Sequence, residues 1–351
     1  MSFSASPEII NRTPFALEPA FLADEEGRAV LVPIVKATFI IQDDGSLQLA
    51  GEQVPVDLGG TYWGEPDVSS YRFEPECAFV KLATDVVLIG HAYPAESGAT
   101  TTVAGLRVGS LSKSVRVSGD RYWTKGSQGI IMTPPEPFER IPLIYENAFG
   151  GWDRNDPDTS KHTFEPRNPV GLGFRARWNA NEPFVRVANI EDAQQLITAF
   201  SDRPRPAGFG FLSPHWQPRA SLAGTYDANW MEQRMPLLPE DFDRRFFNAA
   251  TPGLVAPAYL RGDEPVTVIG ASPRGRLDFH LPGAATPRVT VALRGQNSVT
   301  LDARFDTVIV DTDTHSVMLL WRAAIRVKEV PRDVLSVTVE CDGYTVAADT
   351  P

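Results

Sequence analysis

The run VLVPIVKATFII (Val30–Ile41) is dense in β-branched residues, ends at Asp43-Asp44-Gly45, and is followed by SLQLA. Two apolar runs joined by a turn signal of this kind read as a β-hairpin, Val30–Ala50. Pro33 cannot donate to a ladder, which places the start of the strand proper after it. Downstream, TDVVLIGHAY (Thr84–Tyr93), TTTVAGLRVGS (Thr100–Ser110) and SKSVRVSGDRYW (Ser112–Trp123) have the same character. In the last, Val115 and Val117 alternate with Arg116 and Ser118, the period of two of a half-buried strand. The end of the chain is β-like again, at Pro265–Ser272, Arg276–Pro282, Arg288–Gly295, Arg304–Asp313, Ser316–Val327 and Val334–Val346. Asp311–Thr314 suits a tight turn. TDVVLIGHAYP and PVTVIGASP share a short V-x-I-G pattern, a slight hint of two similar β units.

Between these regions, Pro142–Asn248 has too many prolines and glycines for long regular elements, yet it carries Trp152, Trp178, Trp216 and Trp230 with many Phe and Arg. A solvated linker would be poor in such residues. The segment therefore reads as ordered irregular backbone, suited to a binding surface or to a packed connection. Three short helices are expected in it. Asn189 caps the first, with Ile190, Ala193, Leu196 and Ile197 on one face. Thr225 or Asp227 begins the second, through Arg234 to a stop at Pro236. Pro239 opens the third, which runs to about Asn248. The expected fold is mainly β: two β-sandwich-like lobes, 1–135 and 256–351, joined by an irregular Pro/Gly/aromatic-rich segment, 136–255, with a few short helices.

The chain has 351 residues, 42% of them hydrophobic, and a net charge of −11. That balance argues against nucleic-acid binding and against an anionic membrane surface, which both call for clustered Lys and Arg. The leading MSFSASPEIINRTPF shows no basic region followed by an apolar run, so no secretory signal is expected. No window approaches the ~18 apolar residues of a membrane span. Cys77 and Cys341, far apart, read as free thiols in a reducing cytoplasm.

Catalytic motifs are scarce. There is no G-x-S-x-G and no GK[ST], and neither AFGGWD nor VGLGF sits between a strand and a helix as a dinucleotide fingerprint does. The five histidines, His91, His162, His215, His280 and His315, form no H-x-H or H-x-x-x-H pair, so no metal and no cofactor is expected. Gly150, Gly151, Gly171, Gly173, Gly208 and Gly210 suit positive φ or close backbone approach. Glu146, Asp153, Asp227, Glu240, Asp241 and Asp243 lie in or beside the aromatic segment. Aromatics with paired carboxylates would suit a glycoside-processing cleft. The favoured reading pairs these acids with Arg154, Arg203, Arg205, Arg219, Arg234, Arg244 and Arg245, to stiffen the backbone. A calcium loop at Asp153–Asp158 lacks the expected Gly and terminal Glu.

NRTPF, VKATF, LAGEQVPV, YWGEPDVSSYRFEPE, KLATDVVLIG, SGDRYW, PLIYENAFGG, RNPVGLGF, RPAGFGFLSPHWQPR, AGTYDANW, PLLPEDFDRRFFNAA and YLRGDEPV, in this order, resemble the DUF2169 family of bacterial proteins over about Asn11 to Arg322. The resemblance implies a type VI secretion role: a non-enzymatic chaperone or adaptor that loads a toxin effector onto the VgrG spike, often near a PAAR protein. It brings no catalytic residues. An aromatic- and Arg-rich surface suits such a partner, because Trp, Tyr and Arg dominate interface energetics. The candidates are Trp152, Trp178, Phe209, Phe211, His215, Trp216, Arg219, Tyr226 and Trp230. The competing reading is a carboxylate-dependent hydrolase or carbohydrate-active enzyme using Glu146, Asp227 and His215, and a third is a self-assembling structural part of the secretion particle.

Overall fold

The computed structural model describes residues 6–328 and 332–345; the Met1–Ala5 and Val346 of the readings above lie outside them. Strands dominate and helices are few and short. The Val30–Ile41 run forms a strand, Ala29–Ile41, that turns back into Leu47–Leu49 with Phe39 opposite Leu49. The hairpin is as expected, but the strand starts four residues before Pro33. Pro33 lies opposite Pro19 of the neighbouring strand, so two residues without N–H groups face each other. On its other edge the pairing breaks at Ala323–Ala324, between the Arg322↔Ile34 and Ile325↔Leu31 pairs, and the Ala323 N–H still reaches the Pro33 carbonyl. The missing donor falls where no acceptor calls for it.

The chain folds its two ends into common sheets. The largest sheet runs Ala16–Ala23, Ala29–Ile41, Ser316–Arg322, Arg304–Asp311, Asp85–Ile89. The early strand Ala29–Ile41 is antiparallel to the late Ser316–Arg322, and Asp85–Ile89 is parallel to Arg304–Asp311. A second sheet, Ile190–Asp192, Leu111–Ser118, Thr101–Val108, Pro265–Ile269, Arg276–His280, mixes all three regions. A third pairs Glu8–Asn11 with Val334–Glu340. The boundaries 1–135, 136–255 and 256–351 therefore do not separate sheets, because strands from all three ranges share them. The physical reason is Asp85–Ile89, which is buried throughout. Such a strand needs cover on both edges. Arg304–Asp311 covers one; on the other, Val86 and Leu88 donate to the carbonyls of Leu254 and Phe209. One apolar cluster, with Val86, Leu106, Val117, Val268, Val291 and Leu319 among its members, spans the three sheets.

The central segment holds one α-helix, Ala228–Gln233, capped by Asp227 through the Trp230 N–H at 2.8 Å. The Asn189 helix is corrected to a strand, Ile190–Asp192, with Ile190 opposite Val117. The Asn189 side chain does not cap; it donates to the Ser118 carbonyl and to Asp120. Glu191 is buried against Arg121 and accepts from the Ile197 N–H. Tertiary partners override the helical pattern. The Pro239 helix is reduced to a 3₁₀ turn, Arg244–Phe247, capped by Asp243, because the Asp241 carboxylate is taken by Thr225 N and Oγ1. The Asp311–Thr314 turn is present, its Asp311 carboxylate accepting from the N–H groups of Asp313 and Thr314.

Ionic contacts lock the segment to the sheets. The buried Lys81 ammonium lies 2.7 Å from Glu74, 2.8 Å from Asp85 and 3.1 Å from Thr307 Oγ1. Burial alone would depress its pKa; Asp85 and Glu74 outweigh burial and hold it above the ordinary lysine value. Asp85 also accepts from Asn248 Nδ2 and the Ala249 N–H. Glu74 reaches the Arg219 guanidinium at 3.2 Å. Removing one member of a buried ionic set leaves the others uncompensated. Lys81→Met is therefore expected to lower the unfolding free energy by about 3–5 kcal/mol. Urea denaturation measures this, and a change under about 1 kcal/mol would mean that Glu74 and Asp85 do not depend on that charge.

Candidate functional site

The expected partner residues divide between core and surface. Phe209 and Phe211 are fully buried, the Phe209 backbone pairing with Leu88. Trp216 is 5% exposed and meets Tyr145 edge-on at 5.4 Å. Arg219 is buried, bonding the carbonyls of Leu212 and Phe246 and lying over the Phe246 ring. These four are corrected from partner anchors to core: Phe209 pairs with the strand Asp85–Ile89, Phe211 bridges Ala250, Trp216 packs on Tyr145, and Arg219 is taken up by Leu212, Phe246 and Glu74. Trp178 is half-buried against Phe200. Trp230 is half-buried, its indole N–H donating to the Leu237 carbonyl, with exposed Tyr226 against it. His215 is exposed. The remaining candidate, Trp152, is on the surface at 37% exposure.

Trp152 does not stand alone. It lies in a two-residue strand opposite Phe164, and the two rings stack with centroids 4.4 Å apart. The Arg154 guanidinium sits 4.9 Å over the Trp152 ring, a cation–π contact. Beside them is a depression of about 540 Å³ that also takes in Val170, Gly171 and Val68. Val68 is 69% exposed. Three of the quoted motifs thus meet here: the tip of YWGEPDVSSYRFEPE, the AFGGWD turn and RNPVGLGF. Phe164 and Val68 were not among the residues singled out from the sequence. Phe164 is found by its pairing with Trp152, which no local pattern reveals.

Asn168 explains how irregular backbone holds this surface. It is fully buried; its amide donates to the carbonyls of Tyr145 and Phe149, and its own carbonyl accepts from the Gly151 and Gly171 N–H groups. Gly151 has φ +93°, and a Cβ there would lie 2.3 Å from the Gly171 carbonyl oxygen, so two backbones meet closely only because glycine is present. Gly208 makes room in the same way for the Tyr145 ring, which a Cβ would approach to 2.9 Å.

The carboxylates act mostly as caps, which corrects the arginine pairing expected for them. Glu146 accepts from Ser70 N and Oγ. Asp153 accepts from the Ala176 and Asn155 N–H groups. Asp153, Asp156 and Asp158 each accept from the N–H two residues on. Of the seven arginines named, Arg219, Arg234, Arg244 and Arg245 form ion pairs, with Glu74, Glu26, Glu25 and Asp243. Among the described residues, no hydrogen bond or ion pair joins Glu146, Asp227 and His215. Also among them, no group of three or more His, Cys, Asp or Glu could hold a metal, and both cysteines are free. No described helix is long and apolar enough to cross a membrane.

A family model described as an uncharacterized protein conserved in bacteria, DUF2169, matches residues 26–322. The chain belongs to the DUF2169 family. No curated protein and no solved structure matches it. The DUF2169 match covers the large sheet from Ala29–Ile41 to Ser316–Arg322, together with the aromatic surface.

Two measurements check this picture. Trp216→Ala is expected to destabilise the fold by about 3–5 kcal/mol, as for a buried large aromatic; an unchanged denaturation midpoint would return Trp216 to the surface. The second is an acid titration. The Arg175 fork holds Glu182 below the usual carboxylate range, and the Thr198 and Ala199 N–H groups do the same for Asp202. A pKa lowered by folding stabilises above the unfolded value, and that contribution is lost as pH falls through the folded value. In a carboxyl-detected NMR titration the Glu182 and Asp202 side chains should therefore both titrate below the ordinary carboxylate range. A midpoint for either at or above the ordinary carboxylate value would contradict these assignments.

Proposed function

We propose that this DUF2169 protein is a cytoplasmic, non-enzymatic adaptor that binds a toxin effector and helps load it onto the VgrG/PAAR spike of a type VI secretion system. The observation that supports the reading is the exposed Trp152–Phe164 stack with Arg154 over it and Val68 beside it. Exposed aromatic and apolar side chains around a depression are what a protein partner covers. The surface is stiffened from below by Asn168 and by capped carboxylates, so little conformational freedom would be lost on binding. The many motifs of the family resemblance supply the kind of partner.

The test is co-purification and affinity measurement with candidate toxin effectors and spike proteins of such a system. Trp152→Ala is expected to weaken effector binding by at least ~2 kcal/mol, the scale of an interface hot spot, and to leave the melting temperature nearly unchanged. Full affinity in the well-folded variant would remove this surface from the interface. Failure of the wild-type protein to bind any effector or spike component would remove the adaptor reading itself.

A further inference from the structure

One hairpin ends the chain's own pairing on a bare edge. Its strands Tyr122–Gly126 and Gly129–Met132 are joined by Ser127-Gln128, and Phe184–Arg186 pairs on the far side of the first. Gly129–Met132 is therefore the outermost strand of a three-stranded sheet. The Thr133 N–H donates to the Tyr122 carbonyl. That bond fixes the antiparallel alternation: Tyr122, Thr124 and Gly126 bond with Thr133, Ile131 and Gly129, and the N–H and C=O groups of Ile130 and Met132 point the other way. Among the described residues no hydrogen bond takes these groups.

Other sheet edges in this molecule are guarded. Ala16–Ala23, outermost in the large sheet, carries Glu18 and Pro19, and Arg276–His280, outermost in the second sheet, carries Arg276, Asp278 and His280. Charge and proline are the usual deterrents to pairing with another chain. Gly129–Met132, with the sequence GIIM, has neither. Its side chains alternate. Ile130 and Met132 pack on the cluster of Trp123 and Val185, while Ile131 is 51% exposed, in one row with Thr124 and the 60% exposed Phe184.

We propose that this edge pairs with the same edge of a second copy of the chain, antiparallel about a two-fold axis at Ile131. An isologous contact must be self-complementary, and this one is. The outward groups lie at Ile130 and Met132, symmetric about Ile131, so Ile130 of one copy exchanges both main-chain bonds with Met132 of the other. The two Ile131 side chains meet as a non-hydrogen-bonded pair, the closer kind, and continue the exposed apolar row across both copies. Charge agrees as well. The exposed Lys125 lies towards the turn end of the hairpin and the exposed Glu136 beyond its other end. Antiparallel pairing sets these unlike ends side by side, and no like charges meet on the axis. A strand of 4 residues buries little area, so the dimer is a weak, transient one. The inference goes beyond the adaptor reading and does not rest on it.

Sedimentation velocity of the full chain from about 1 to 500 µM, with amide exchange followed at both ends of that range, tests it. The wild type is expected to pass from monomer to dimer. Exchange at Ile130 and Met132 should slow with concentration, while that at Ile131, already bonded within the hairpin, should not. Ile131→Lys and Ile131→Glu should each weaken association at least about fivefold, by setting like charges opposite one another. In dilute solution both should keep the wild-type melting temperature, because Ile131 is exposed. An equimolar mixture of the two variants should dimerise again. A wild type that stays monomeric over the whole range would overturn the proposal, as would a dimer that Ile131→Lys leaves intact or a mixture that stays monomeric. Slowing at Ile130 and Met132 only when a Thr-Val-Thr-Val-Thr peptide is added would overturn it too, and would give the edge to a foreign strand.

Discussion

Lys81 carries a positive charge where water does not reach, and the surrounding structure is arranged so that this charge is never alone. Its partners come from four places: Glu74 from the loop before it, Asp85 from a strand buried throughout, Thr307 from the late strand beside that one, and through Glu74 the Arg219 of the central segment. Next to this set lies a second one, in which Arg322 pairs with Asp306 and Lys36 with Glu76. Burial raises the pKa of both Asp306 and Glu76, against the opposing pull of Arg322 on the first and Lys36 on the second. Isolated buried charges are strongly unfavourable, whereas paired ones tolerate few alternative arrangements. The irregular segment is therefore held against the sheets by ionic geometry as well as by apolar contact.

Strands were legible where alternation or β-branched density was strong. Val115 and Val117 point inward as their spacing implies, and Val30–Ile41 is a strand with a hairpin at its end. Asn189 shows why other local signals misled. Its cap-like position and the apolar period after it are real, but a free strand edge at Ser118 and a buried Arg121 offered better partners for Asn189 and Glu191. Nor could composition reveal that the strand at Ala29–Ile41 pairs with one nearly three hundred residues later. The aromatic segment was correctly read as ordered. Which of its rings face outward was not readable, because Trp152 and Trp216 differ only in what the rest of the chain places over them. Phe164 was invisible for the same reason: its importance lies in its cross-strand neighbour.

The segment shows how backbone without regular ladders can still be rigid. Short polar side chains take over the role of the missing ladder. Asn168 gathers four backbone groups, and aspartates at 153, 156 and 158 each close a small turn. Glycines let strands of this mesh approach more closely than any side chain would allow. The surface that results can present Trp152 and Phe164 to a partner without first having to be ordered.

The sharing of sheets between the two ends of the chain has a consequence for how the molecule comes into being. During synthesis the strand Ala29–Ile41 emerges long before its inner neighbour, Ser316–Arg322. Until then a long apolar strand has an unsatisfied edge, open to pairing with other chains. Contacts so distant along the chain also close slowly, because a large loop must be ordered before they reward it. The architecture thus delays closure of the large sheet until Arg322 has been made, and leaves the earlier strand exposed to mispairing in the interval.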